Sequence, residues 1–485
     1  MRFAAGRRLP PFRFLAIVTF LASAPWLMAQ PNHEPDFVYD PGPYLLLDQL
    51  LIHDQANIRR TIHEPVRLPD PVVTSLDDGN FQPYVTVVHY PDESLFRMWY
   101  NTPENVSQSH LGHITSRDGI HWDRPHQILE DPAHINFGAS VMDRGSDFPN
   151  PAERFVYGFW ARDENEVGGL KIAVSPDGME WTMLRQGVIL PHNHDINALQ
   201  WDPIRKQYIA FMSVKVMEGP TWSDSRRRIP HQSVSKDLVN WEKLWPIIQP
   251  EMGEWGETQF YCMNGMLRRG HLLVGLVKVL RDDLNAEPDR VSSELGDPDR
   301  KAAGIGYTTL AWSRDGRTWQ RDVEPFFDRN PRSGTWDRAH AWVDCQVPVG
   351  DEVYLYYGGY ARGHKADRFR ERQIGLAKMK RDRYVSWDAD FGEGRLTTAA
   401  AELKGGSMTV NADIFGLHGS LRVRVLSENH DTIEGFGFTD CQPVKGDSLR
   451  HVVAWEKDLS SLKGQRVQFE FSWTNGSLFS FDLNQ

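Results

Sequence analysis

The chain has 485 residues, a formal net charge of −11, 40% hydrophobic residues, 17 tryptophans and 3 cysteines. The acidic balance disfavours a general role on nucleic acid or an anionic membrane, since both attract basic partners. Three cysteines cannot form a disulfide framework for a chain of this size.

The N-terminus carries Arg2, Arg7 and Arg8, then the apolar stretch 12–27, then a small-residue ending at Ala29. That order is the pattern of a secretory signal, so residues 1–29 are expected to be cut off after Ala29. The apolar stretch is interrupted by Arg13 and Pro25 and is short for a membrane span. The mature protein is expected to be secreted or periplasmic, off the membrane, and monomeric.

Residues 30–75 read as an N-terminal arm that packs on the body. Within it, the apolar run 44–52 offers packing surface. The Pro-rich run 64–73 resembles the segments that follow each repeat tryptophan, such as 125–129, and so is a candidate strand for the last repeat.

Residues 76–388 contain one phrase several times: Ser116-Arg117-Asp118-Gly119-Ile120-His121-Trp122, Ser175 to Trp181, Ser235 to Trp241 and Ser313 to Trp319, with a worn copy ending at Trp387. The tryptophans stand 59, 60, 78 and 68 residues apart, which implies a radial or stacked array. Before each phrase lies a short aromatic and β-branched run, such as 95–100, 155–160, 208–212, 272–277 or 353–357, of the kind that forms strands. Asp-Gly supplies a tight hairpin turn. Each unit is therefore about four antiparallel strands, and five units predict a five-bladed β-propeller. The repeat tryptophans are expected to pack between blades. Residues 389–485 lack the phrase but alternate like strands, and predict a β-sandwich. The fold class is all-β.

In a propeller the Asp-Gly turns share one face. The inner-strand starts and the loops between second and third strands share the other. Those loops are long and polar here, which marks a binding face. The third and fifth carry arginines, Arg226 to Arg228 and Arg362, Arg368, Arg370 and Arg372. They read either as solvated loop charge or as recognition of carboxylate or sulfate on a ligand. The inner-strand starts offer Asp77 and Asp78; Asn136; His192, His194, Asp195 and Asn197; Glu257 and Gln259; and Asp337, His340 and Asp344. Carboxylates that converge on an axis suit glycoside cleavage, where one protonates the leaving oxygen and another is nucleophile or base. Each alone is more often a turn former, and Asp77-Asp78-Gly79-Asn80 is also a turn sequence. His192-x-His194-Asp195 is too unspecific for a metal site, so no cofactor is expected. A structural calcium at the axis is compatible with the carboxylates but not indicated. Cys262 and Cys345 read as buried free thiols.

These features resemble the five-bladed β-propeller glycoside hydrolases of the invertase and arabinanase group, families 32, 43 and 68 and relatives. The resemblance covers 76–388 and rests on the Ser-x-Asp-Gly-x-x-Trp phrases and on Trp201-Asp202-Pro203. The arm residues Tyr44 to Asp48 and the run Phe96 to Tyr100 resemble uncharacterised exported family 32-like proteins. The group uses an Asp of blade 1, an Asp of blade 3 and a Glu of blade 4. Here that implies Asp78 as base or nucleophile, Asp195 as stabiliser and Glu257 as general acid. It implies a carbohydrate substrate, with Asn136, His194, Asn197, Gln259, Asp337, His340 and Arg362 as binding groups and Trp255, Trp336 and Trp342 as stacking platforms. The group's Trp-Met-Asn-Asp-Pro motif is absent from blade 1. A non-catalytic carbohydrate-binding propeller and a glycoside phosphorylase are the alternatives.

Overall fold

The computed structural model describes residues 37–485, apart from 81, 106, 217–226, 252–253, 255–257, 288–301, 365 and 367–369. The expected signal, residues 1–29, lies outside the described residues, as do Trp255 and Glu257. Among the described residues no helix is long and apolar enough to cross a membrane.

The repeat phrase is a self-contained turn. In the third copy the Asp237 carboxylate accepts the backbone N–H groups of Val239 and Asn240, at 2.9 and 2.8 Å, while the Ser235 hydroxyl accepts that of Leu238 at 3.0 Å. The other three full copies bond the same way. The fourth residue of the phrase must take a positive φ, which is why three of the four are glycine (Gly119 73°, Gly178 78°, Gly316 67°). Leu238 adopts the same conformation at 68°.

These turns close the blades. Blade 1 is Gln82–Tyr90, Leu95–Pro103, Ser109–Ser116 and Gln127–Ile128. Blade 2 is Phe137–Asp143, Phe155–Arg162 and Gly168–Ser175, with Thr182–Met183 and Leu190–Pro191 sharing its outer position. Blade 3 is Asn197–Asp202, Gln207–Val216, Arg227–Ser235 and Trp245–Pro246. Blade 4 is Thr258–Arg269, Leu272–Arg281, Ile305–Ser313 and Gln320–Arg321. Blade 5 is His340–Val349, Glu352–Tyr360 and Arg372–Lys380, and its outer strand is Val66–Arg67 from the arm. The five inner strands neighbour one another in a closed ring, the fifth touching the first.

Several interfaces are fastened from one blade to the turn of the next. Trp99 Nε1 donates to Gly178 O at 2.8 Å, Gln232 Nε2 to Gly316 O at 2.6 Å, and Tyr356 Oη to Gly119 O at 2.8 Å. The last of these joins blade 5 to blade 1. The repeat tryptophans pack as expected at two interfaces: Trp319 lies 5.6 Å from Phe211 of blade 3, and Trp122 lies 6.1 Å from Tyr356 of blade 5. Burying such a ring removes about 150–250 Å² from water, roughly 4–6 kcal/mol of transfer free energy at ~25 cal/mol per Å².

Strand pairing moves the sandwich boundary. One sheet runs Val38–Tyr39, Ala401–Leu403, Arg466–Thr474, Gly394–Thr398, Ile52–Ala56, with Ser420–Ser427 also on Arg466–Thr474. The other runs Gly446–Val453, Ser407–Ile414, Gly476–Asn484, Val385–Ala389, Arg59–Ile62, with Gly42–Leu45 on Gly476–Asn484. The arm therefore supplies four strands to the sandwich, and the expected division at 388/389 does not hold. Trp387 belongs to the sandwich, where its Nε1 donates to Leu46 O. The worn phrase differs for a physical reason. Asp382 does not cap a turn; its carboxylate takes two bonds of 2.5 Å from Arg269 of blade 4. The sandwich is tied to the propeller by Asp48, which accepts from Trp312 Nε1 and Arg314 Nη1 at 2.6 Å each.

Candidate functional site

The inner-strand starts and the adjoining loops of blades 3, 4 and 5 bring one polar network together. Asp195 and His194 precede the inner strand of blade 3. Arg228 is the second residue of its third strand, Gln259 the second of the inner strand of blade 4, and Asp282 follows that blade's second strand. His194 Nδ1 lies 3.1 Å from Asp195 Oδ1, though the two are not aligned as a hydrogen bond. Arg228 Nε donates to His194 Nε2 at 3.1 Å and Nη1 to Gln259 Oε1 at 2.5 Å. Gln259 Nε2 donates to Asp282 Oδ2 at 3.2 Å, and Arg228 Nη1 lies 4.0 Å from the same oxygen.

Beside this network lies an aromatic cluster. Tyr261 stacks on Trp342 with centroids 4.6 Å apart, and Arg228 sits 5.4 Å from the Tyr261 ring. His340 stacks on Tyr360 at 4.6 Å and meets Trp342 edge-on at 4.7 Å. His364 lies 5.1 Å from Tyr261, and its carbonyl accepts from Arg372 Nη2 at 2.6 Å. Burial drives these histidines toward the neutral form: His194 to about 3, His192 to about 4, and His340 well below the usual imidazole value. The cluster is itself buried, so it forms the wall behind the polar network.

Other expected site residues lie elsewhere. Asp78 is fully buried, and both its oxygens are held by Arg124, at 2.8 and 2.9 Å. A carboxylate so committed cannot serve as base or nucleophile. Asp337 accepts from Tyr357 Oη and Asn330 Nδ2 at 2.9 Å each and from Arg67 at 3.3 Å, so it anchors the arm rather than a ligand. Trp336 stacks on Tyr357 and donates to Pro69 O, which gives it the same role. Trp342 is almost fully buried within the aromatic cluster and presents no open stacking face. Arg362 is paired with Glu371. Asn136 Nδ2 donates to Ser107 O at 2.6 Å. Asn197 and His192 are buried at the start of blade 3. Asp344 is buried deeper, on Lys278 and Asn264.

Tyr261, Asp282, Tyr360 and His364 were not singled out as site residues from sequence. The tyrosines look like core strand residues, and Asp282 looks like loop charge. Topological position held a signal for two of them: Asp282 and Tyr360 stand at the ends of the second strands of blades 4 and 5, where the long loops begin.

Among the described residues no three His, Cys, Asp or Glu side chains gather as a metal-binding group. A groove of about 970 Å³ lies at the outer edges of blades 1 and 2, lined by residues such as Gln127, Asp131, Trp181 and Gln186, away from the network.

No family model matches the chain, and no curated protein matches it. Among solved structures it is similar to a β-1,2-mannobiose phosphorylase from Listeria innocua, with 12% identity over 65% of this chain and 96% of that one and a TM-score of 0.45. It is similar to a thermostable family 43 glycoside hydrolase, with 12% identity, the same coverage and a TM-score of 0.43. A Bombyx mori family 32 β-fructofuranosidase covers more, 88% of this chain and 94% of that one, at 11% identity and a TM-score of 0.38.

Proposed function

We propose that this protein is an exported glycoside hydrolase whose reaction takes place on the face formed by the inner-strand starts of blades 3 to 5. The observation that carries the reading is the convergence of Asp195, His194, Arg228, Gln259 and Asp282 beside an aromatic cluster. Asp195 is the proposed stabiliser or base of the carboxylate pair that glycoside cleavage needs. Glu257, two residues before Gln259 in the chain, is the proposed general acid. The substrate is a poly- or oligosaccharide.

The test is reducing-sugar release from neutral, uronic and sulfated polysaccharides by the mature protein, an Asp195→Asn variant and a Glu257→Gln variant. Release by the parent alone, with binding kept by both variants, supports hydrolysis with these two groups. Equal release by parent and variants keeps the enzyme class and removes the two residues from it. One observation favours a second reading, a non-catalytic carbohydrate-binding propeller: Asp78 is locked on Arg124, which leaves blade 1 without its expected carboxylate. Binding without release by the parent protein selects that reading.

A further inference from the structure

Arg228 stands at the junction of the network, and the chemistry of its donors fixes the protons around it. A guanidinium has only donors and stays protonated in proteins. His194 Nε2, 3.1 Å from Arg228 Nε, must therefore accept. A neutral imidazole that accepts at Nε2 carries its proton on Nδ1. Nδ1 is the atom that lies 3.1 Å from Asp195 Oδ1. The other arm has the same polarity: Arg228 donates to the Gln259 carbonyl oxygen, which turns the Gln259 amide nitrogen toward Asp282. Arg228 Nε, Arg228 Nη1 and Gln259 Nε2 each donate to an acceptor, and a carboxylate stands at each end, bonded at Asp282 and 3.1 Å from His194 Nδ1 at Asp195. An N–H beside a carboxylate oxygen favours its ionised form.

We infer that Arg228 is a positioning residue that fixes the Nδ1–H tautomer of His194 and so turns an N–H, rather than a lone pair, toward the Asp195 carboxylate. The inference deepens the proposed glycosidase reading and rests on it only for the use made of Asp195. Protonating His194 would set an Nε2–H against the Arg228 Nε–H, so the bond survives only while the ring is neutral. The groups that face His194 are Asp195, Arg228, Lys215 and His192 by charge and Tyr261 by ring contact. Burial first, then Arg228, Lys215 and His192, favour the neutral ring, and Asp195 opposes them.

The test is nitrogen NMR of the mature protein labelled with ¹⁵N-histidine, with the His194 signals assigned by their loss in His194→Gln. The ring shifts report tautomer and charge directly. The expected parent result is an Nδ1–H ring that stays neutral well below pH 6.5. In Arg228→Gln the tautomer preference is expected to be lost and the ring pKa to rise by more than one unit. On a substrate that the parent cleaves, kcat is expected to fall on the order of 10²-fold, as for a misplaced reacting group, with KM changed far less. Arg228→Lys keeps a donor and is expected to keep the tautomer and recover part of kcat. An Nε2–H ring in the parent overturns the inference. So does an unchanged tautomer and pKa in a folded Arg228→Gln protein. If that variant does not fold, the parent tautomer and Arg228→Lys still decide. An Nδ1–H parent that releases no sugar would overturn the enzymatic reading and leave the relay standing.

Discussion

Arg67 Nη1 reaches Asp337 Oδ2 at 3.3 Å and so joins the arm's last strand to the start of blade 5. The same guanidinium bonds Glu64 and the Asp328 carbonyl, and lies 4.6 Å from the Phe327 ring. Arg67 is thus the pin of the strand that completes the propeller. Arg67→Ala leaves the nearly inaccessible Asp337 carboxylate without its cation. The expected cost is about 3 kcal/mol, in the range for breaking a buried pair. Guanidinium unfolding should show it, and hydrogen exchange should rise along Arg372–Lys380, the strand that Val66–Arg67 covers. Parent-like protection there would mean that the strand is held without its pin.

Asp78→Asn separates a structural carboxylate from a catalytic one. With Asp78 bound to Arg124, the substitution is expected to lower stability by about 1–3 kcal/mol, the cost of a disturbed buried hydrogen-bond set. Sugar release per folded molecule should stay at the parent level. A collapse of turnover with intact stability would return Asp78 to the reaction.

Four buried histidines predict acid sensitivity in a defined window. His113, His192, His194 and His340 are all held below the ordinary imidazole value of 6.5, first by burial, with His113 and His192 at about 4 and His194 at about 3. Between pH 6.5 and 4 the unfolded chain binds protons that the folded chain refuses, so stability falls as pH falls. Each such ring contributes a slope of about 1.4 kcal/mol per pH unit. The turn aspartates act lower: backbone and side-chain bonds from Asn240 and Val239 hold Asp237 down, and that contribution is lost only below pH 3.8. Melting temperature measured from pH 8 to 4 should be flat above 7 and fall steeply below 6. A level profile down to pH 5 would show that these rings titrate normally.

The thiols should be silent in the folded protein. Cys262, Cys345 and Cys441 are free, and burial pushes Cys262 and Cys345 up to about 12. The thiolate is the reactive form, so alkylation at pH 8 should mark none of the three in native protein and all three in denaturant. Reductant should not change the melting temperature. Rapid native labelling would contradict the buried placement.

The blades were legible because their information is local. A serine, an aspartate and a glycine within four residues make the turn, and the strand before each turn is apolar in its own right. The sandwich was half legible. Its N-terminal strands pair across the chain, Tyr39 with Leu403 and Gly42 with Leu483, and no local pattern announces such partners. Trp387 misled because its phrase keeps the tryptophan but lacks the serine and glycine that build the turn. At the site, the His194–Asp195 pair could be picked from position in the blade. Which carboxylate an arginine claims could not: Asp78 and Asp195 look alike in sequence, and Arg124, which binds Asp78, lies 46 residues further along the chain.

The stitching of residues 38–67 into both the sandwich and blade 5 has a consequence for biosynthesis. These strands leave the ribosome before the strands they pair with: Gly42–Leu45 lacks its partner until residue 483 has been made, and Val66–Arg67 until residue 378. The nascent chain cannot complete blade 5 before residue 378 or the sandwich before residue 483. Both closures wait for these distant strands, so a polypeptide stopped before them would leave the arm strands exposed and prone to capture by chaperones or proteases.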